Sequence, residues 1–149
     1  MSAGVVPGVG EVTPPAAWGI LETEKDARLV DVRTQAEWNF VGVPDLSELG
    51  HSVIFVEWAT YPGMSVNPKF GEQLLGAFGD EIPGKLLFLC RSGVRSLAAA
   101  QETARVCAEN GIRVACYNVA EGFEGDVNED GHRGFQGGWK FRGLAWRQS

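Results

Sequence analysis

The chain has 149 residues, 44% hydrophobic and 21% charged, with a formal net charge of −6. That is the size and texture of one soluble globular domain with room for a core. The acidic balance excludes general nucleic-acid binding, which needs a basic face, and any attraction to anionic lipid. The start, MSAGVVPGVGEV, carries no Lys or Arg, and Pro7 and several glycines interrupt its apolar run, so no secretory signal is expected. No apolar run approaches the ~20 residues of a membrane span. The three cysteines, Cys90, Cys107 and Cys116, are too few for a disulfide framework and form no CxxC pair. A cytoplasmic protein with reduced thiols is expected.

Residues 1–12 read as a flexible tail and 13–149 as a single domain. Thr13-Pro14 is a helix start, a hydroxyl cap followed by a proline whose missing N–H does no harm, and the helix runs to about Thr23. ARLVDVR (Ala27 to Arg33) is a short branched apolar run, hence a buried strand. Thr34-Gln35-Ala36-Glu37 spells a capping box and opens a brief helix. SVIFVEW (Ser52 to Trp58) predicts a second strand. Asn67-Pro68 starts a helix with Phe70, Leu74, Leu75 and Phe78 on one face. KLLFLC (Lys85 to Cys90) predicts a third strand, followed by a helix from about Ser96 to Asn110 that Gly111 stops. RVACYNV (Arg113 to Val119) predicts a fourth strand. Beyond Glu121 the spacing predicts loop and one short helix, packed by Trp139, Leu144 and Trp146. Short strands alternating with helices indicate an α/β fold, an open parallel sheet with helices on both faces.

Ligands of such sheets bind beyond the carboxyl ends of the strands. Cys90 stands at such an end, and the amides of Arg91, Ser92, Gly93, Val94, Arg95 and Ser96 can curl around one point before the helix. Gly93 allows a positive φ or a close backbone approach. Inward amides and a helix N-terminus make an anion cradle, and such surroundings favour a thiolate. A lone cysteine at a strand end is by default a small buried hydrophobe. The flanking Arg91, Gly93 and Arg95 argue instead for a nucleophile.

CRSGVRS after an apolar strand resembles the active-site loop of the rhodanese family of thiosulfate sulfurtransferases. LVDVRTQAEW (Leu29 to Trp38) is similar to that family's DVR…E-aromatic signature, with Asp31, Arg33 and Glu37 as structural support. VAEGFEG (Val119 to Gly125) and GWKFRGLAW (Gly138 to Trp146) resemble its closing segments. The resemblance implies a rhodanese-like fold, Cys90 as catalytic nucleophile and the Arg91 to Ser96 loop as substrate-binding, with no cofactor. It implies transfer of sulfur from a small anionic donor such as thiosulfate, through a Cys90 persulfide, to cyanide or a thiol. The alternative is a carrier or regulatory module whose acceptor is a protein. The chain departs from the family at VGVPDLSELGHS (Val41 to Ser52), which lacks the usual GHIPGA, and in a long segment from Asp126 to Gln136. That segment is glycine-rich and is expected to be mobile and to flank the pocket mouth.

The competing reading is a cysteine phosphatase or arsenate reductase; cysteine phosphatases also hold a thiolate in an amide loop, with five residues between cysteine and arginine. Here Arg95 follows after four, a shorter ring that suits a single sulfur atom. Arg91 is the expected substrate contact, and Arg95 is free to pair with an acid such as Glu121 or Glu124. Cys107 and Cys116 read as core. DVNEDG (Asp126 to Gly131) begins like a calcium loop, but its twelfth position is Gly137 rather than a bidentate Glu. His51 and His132 have no zinc-like companions, and no metal is expected.

Overall fold

A computed structural model describes residues 8–148. Its elements in chain order are β1 (Val9–Val12), α1 (Pro14–Thr23), β2 (Ala27–Asp31), α2 (Gln35–Phe40), β3 (Val43–Pro44), β4 (Ile54–Phe55), β5 (Ala59–Thr60), β6 (Ser65–Val66), α3 (Phe70–Phe78), β7 (Lys85–Leu89), α4 (Val94–Glu109), β8 (Ala115–Val119) and β9 (Trp146–Arg147). Five strands form one sheet in the order β1-β8-β7-β2-β4, and every neighbouring pair in it is parallel. The expected open parallel sheet is therefore present.

The alternation of side chains along β2 and β7 divides the core into two layers. Val30, Leu86, Phe88 and Cys90 face α3 and α4, where they meet Phe70, Leu74, Ala99 and Ala100. Leu29, Leu87 and Leu89 face the other way, against Ala17 and Leu21 of α1 and against Phe123 and Trp139. The small residues of α4 let that helix lie close to the sheet, with its N-terminus above the end of β7.

Both sequence-predicted caps are present. Thr13 accepts from Ala16 N–H, and Thr34 and Glu37 form the reciprocal capping box. Residues 9–12 are not part of a tail: they form the edge strand β1, in register with Cys116 to Val119. Glycine and charge hide the strand in the sequence, because an edge strand needs little apolar surface. Residues 1–7 lie outside the described residues. The expected strand at Ser52 to Trp58 pairs regularly only over Ile54–Phe55, although Val56 and Trp58 still donate to the Asp31 and Val32 carbonyls.

No helix forms among the described residues after Glu121. Glycines with positive φ at 122, 125, 134, 138 and 143 turn the chain repeatedly, and helical glycine costs about 1 kcal/mol each. The segment instead buries Trp139 and ends in β9, which pairs antiparallel with β3. The stretch from Asp126 to Gln136 is a stitched turn: Asn128 Oδ1 accepts from the Asp130 and His132 amides, and Arg133 donates to Gly125 O at 2.7 Å. No helix of the described residues is long and apolar enough to cross a membrane.

Asp31 and Arg33 are fully buried at the end of β2. The guanidinium reaches both carboxylate oxygens, with Nη2 to Oδ2 at 2.6 Å, and Nη2 also donates to Gly42 O at 2.8 Å. Asp31→Asn keeps the shape but leaves a buried charge uncompensated. It should cost about 3–5 kcal/mol in urea unfolding. A loss below about 1 kcal/mol would mean the pair is not a structural requirement.

Candidate active site

Cys90 is the first residue beyond β7 and is 1% exposed, on the α4 side of the sheet. The chain then reverses at Gly93, whose φ of +111° lies where only glycine is comfortable. This turn brings Gly93 N–H to 3.1 Å from Cys90 Sγ, and Ser96 Oγ lies 3.2 Å from the same sulfur. α4 begins at Val94, two residues earlier than expected, so Val94, Arg95 and Ser96 form its first turn. No side chain caps that turn. Among the described residues the amides of Ser92, Val94, Arg95 and Ser96 have no protein acceptor. First-turn amides point back along the helix axis, here toward the thiol, so they are free to bind an anion.

The loop is held from behind by the chain after β8. Phe123 N–H donates to Cys90 O at 2.8 Å, and the Glu124 and Gly125 amides donate to Arg91 O at 3.0 and 3.2 Å. A Cβ on Gly122 would come within 2.5 Å of the Arg91 backbone, so this contact requires glycine.

No protein-family model matches the chain. It is 49% identical to Rv0390 from M. tuberculosis, whose crystal structure superposes with a TM-score of 0.80 over 94% of this chain and 98% of that one. It is also 36% identical to the uncharacterized protein RC0915 of Rickettsia conorii, over 93% of this chain and 98% of the relative. The chain belongs to the family that these proteins form. A homodimeric polysulfide-sulfur transferase from Wolinella succinogenes shares the fold at 21% identity, with a TM-score of 0.58 over 97% of this chain and 82% of that one. The fold is rhodanese-like.

At the rim of the Cys90 loop Arg91 is exposed, and Val94 is 77% exposed. Arg95 does not pair with Glu121 or Glu124. It grips Glu37 of α2 with two hydrogen bonds, at 2.7 and 2.9 Å, while Glu121 is taken by Arg142. Burial works against both charges of the Arg95–Glu37 pair, but their mutual hydrogen bonds and attraction win. Glu37 is held below the usual carboxylate range and Arg95 above the usual arginine value. Glu37 thus serves the capping box and the Cys90 loop together. Among the described residues the Asp31 and Arg33 side chains bond to each other, to the Arg33 N–H and to Gly42 O, and make no hydrogen bond to the Cys90 loop. Cys107 and Cys116 are buried. Burial raises the Cys107 thiol, and burial with nearby Cys107 pushes Cys116 up to about 12, so both stay protonated at neutral pH.

Asn118 is the site residue that sequence reasoning missed. It is 3% exposed on β8, beneath the first turn of α4. Its Nδ2 donates to Gly93 O at 3.2 Å and approaches Glu11 Oε2 at 3.4 Å, and its Oδ1 accepts from Ser96 Oγ at 2.6 Å. The opposite amide orientation would set an oxygen against two oxygens, so this one is fixed. Ser96 has a single hydroxyl proton. With Asn118 holding it, Ser96 can only accept from a Cys90 thiol; a thiolate must pull that proton back from Asn118. Asn118 therefore fixes the Gly93 turn and competes with the sulfur for the Ser96 proton. The only sequence signal was a polar residue inside an otherwise apolar strand.

Two predictions follow from this geometry. Glu37 is depressed in the fold, so its pair with Arg95 stabilises above the unfolded Glu value and weakens as pH falls through the lower folded value. The melting-temperature gap between wild type and Glu37→Gln should be constant above about pH 5 and shrink below the ordinary Glu range near pH 4. A gap independent of pH would refute the pair's role. Asn118→Leu should release the Ser96 hydroxyl to the sulfur and change the Cys90 alkylation rate several-fold at neutral pH. In a Ser96→Ala background the same change should have little effect, and equal effects in both backgrounds would assign Asn118 to loop packing alone.

Proposed function

We propose that the protein is a sulfurtransferase that carries sulfur on Cys90. The observation behind this reading is the Cys90 sulfur seated under the Gly93 amide, the Ser96 hydroxyl and the open first-turn amides of α4. A thiosulfate-like donor would enter with its anionic end at Arg91 and the loop amides. The Cys90 thiolate attacks the outer sulfur, the S–S bond of the donor breaks with its electron pair, and sulfite leaves. The product is a Cys90 persulfide whose outer, negatively charged sulfur lies among the amides. A thiophilic acceptor, cyanide or a thiolate, then attacks that outer sulfur and returns Cys90 as thiolate. Donor and acceptor need no metal to balance these steps. The shared fold of the Wolinella polysulfide-sulfur transferase supports the same reaction class, with polysulfide as a second candidate donor.

The phosphatase reading is weaker. A phosphate-binding loop needs its arginine free for the tetrahedral anion, and Arg95 is committed to Glu37. That leaves amides sized for one sulfur rather than three oxygens.

Incubation with thiosulfate should add the mass of one sulfur, reversible by reductant, and Cys90→Ser should abolish both this and thiocyanate formation from cyanide. Loss on Cys107→Ala instead would overturn the assignment. Arg91→Ala removes one charged hydrogen bond, worth about 1.5–3 kcal/mol, so kcat/KM for thiosulfate should fall roughly tenfold or more. Clear turnover of aryl phosphates would overturn the reading in favour of a phosphatase.

A further inference from the structure

The β4 side of the sheet ends in an open edge. The register Val30↔Ile54 and Asp31↔Phe55, with Val56 N–H on Asp31 O, turns the polar groups of Ile54 and Val56 toward β2. By alternation, the N–H and C=O of Val53 and Phe55 face outward. Among the described residues these groups have no hydrogen-bond partner on that side. An unpaired row of this kind is a template for another strand.

A continuous trough runs beside this edge. A cleft of about 440 Å³ lined by Trp38, Val43 and Phe55 joins one of about 200 Å³ through shared Phe55 and Arg147. That cleft joins a third, of about 540 Å³, through shared His51 and Ser52. The trough passes Arg147, His51, Arg28 and Lys25 in turn. Asp45 is the single carboxylate lining these three clefts, and it already accepts from Ser47 N–H; Asp26 and Glu81 line only a neighbouring cleft beyond Lys25 and Arg28. Among the described residues Lys25, Arg28 and Arg147 make no ion pair. Such a basic row is an exception on a chain of net charge −6.

We propose that this edge binds an extended acidic segment of a partner protein as an added strand. Outward backbone groups pair with a backbone, the aromatic cleft at the Trp38 end takes an apolar side chain, and the cations meet Asp or Glu along the trough. At about 3.3 Å per residue, the height of the sheet accommodates roughly five or six residues. Phe55 is in register with Asp31, which pairs with Leu89, the residue before Cys90. The bound segment thus ends at the same rim as the thiol. The proposal does not require sulfur chemistry.

The test titrates full-length protein against three fluorescein-labelled probes, read by anisotropy at low salt: a hexapeptide alternating valine and glutamate, its valine–lysine counterpart, and oligouridylate. The glutamate peptide should bind saturably and lose affinity with added salt. Lys25→Glu combined with Arg147→Glu should weaken it about tenfold or more. Phe55→Pro, which deletes the outward N–H at an edge position, should do likewise; if circular dichroism shows that variant unfolded, the charge-reversed variant decides alone. Sulfur loading of Cys90 should stay unchanged in the charge-reversed variant, which separates this proposal from the reading of the site. Absence of saturable binding by the glutamate peptide, equal binding by the lysine peptide, tighter binding by oligouridylate, or affinity indifferent to charge reversal would overturn it.

Discussion

A buried charge has to be compensated where it lies, and Arg33 is compensated within two residues by Asp31. Both side chains are wholly buried, so moving either would strand the other in a low-dielectric interior. The pair therefore fixes where the chain goes after β2. Arg33 also reaches Gly42 O and stacks over Phe123 at 4.3 Å. It thus holds the end of α2 on one side and the closing segment on the other. The next residue, Thr34, opens the capping box, its partner Glu37 extends to Arg95, and Arg95 belongs to the Cys90 loop. From the end of β2 to the thiol, the chain itself supplies two links, and three short polar contacts, Asp31–Arg33, Thr34–Glu37 and Glu37–Arg95, supply the rest among side chains that are buried or nearly so.

A second grip comes from the chain after β8, which holds the Cys90 and Arg91 carbonyls with three amides. With its carbonyls bound behind, the loop presents its N–H groups forward. This division explains why the site can favour negative charge on an acidic chain. The donors are peptide dipoles, the Gly93 N–H among them at 3.1 Å from Sγ, whereas the net charge of −6 is spread over a solvated surface and screened within about 10 Å.

The local features were legible because local chemistry determines them. Thr13-Pro14, the Thr34–Glu37 box and the CRSGVRS turn each depend on residues within a few positions of one another. The long-range partners were not legible. Arg95 could have met any of several acids, and only the placement of α2 selects Glu37. Asn118 is one polar residue in a strand, and its role requires α4 to begin above it. Glu11 and the whole of β1 were hidden because an edge strand can be glycine-containing and half polar. The closing helix expected near Trp139 failed for the opposite reason. Its apolar residues suggested packing, but its glycines permit a tighter course than a helix, one in which Gly122, Gly125 and Gly138 touch neighbouring backbone directly.

The Ser96 proton ties these levels together. When Cys90 is a thiol, its proton goes to Ser96 and the Ser96 proton goes to Asn118, so the one hydroxyl serves both neighbours. In the proposed persulfide Sγ has neither a proton to give Ser96 nor a full charge to draw the Ser96 proton, so the Ser96–Asn118 bond stays in place. Only the bare thiolate forces a choice, since Sγ and Asn118 Oδ1 then compete for one hydroxyl. Whichever way that proton turns, the Gly93 N–H stays on Sγ, so the loop backbone and not the Ser96 hydroxyl is the constant donor to the sulfur.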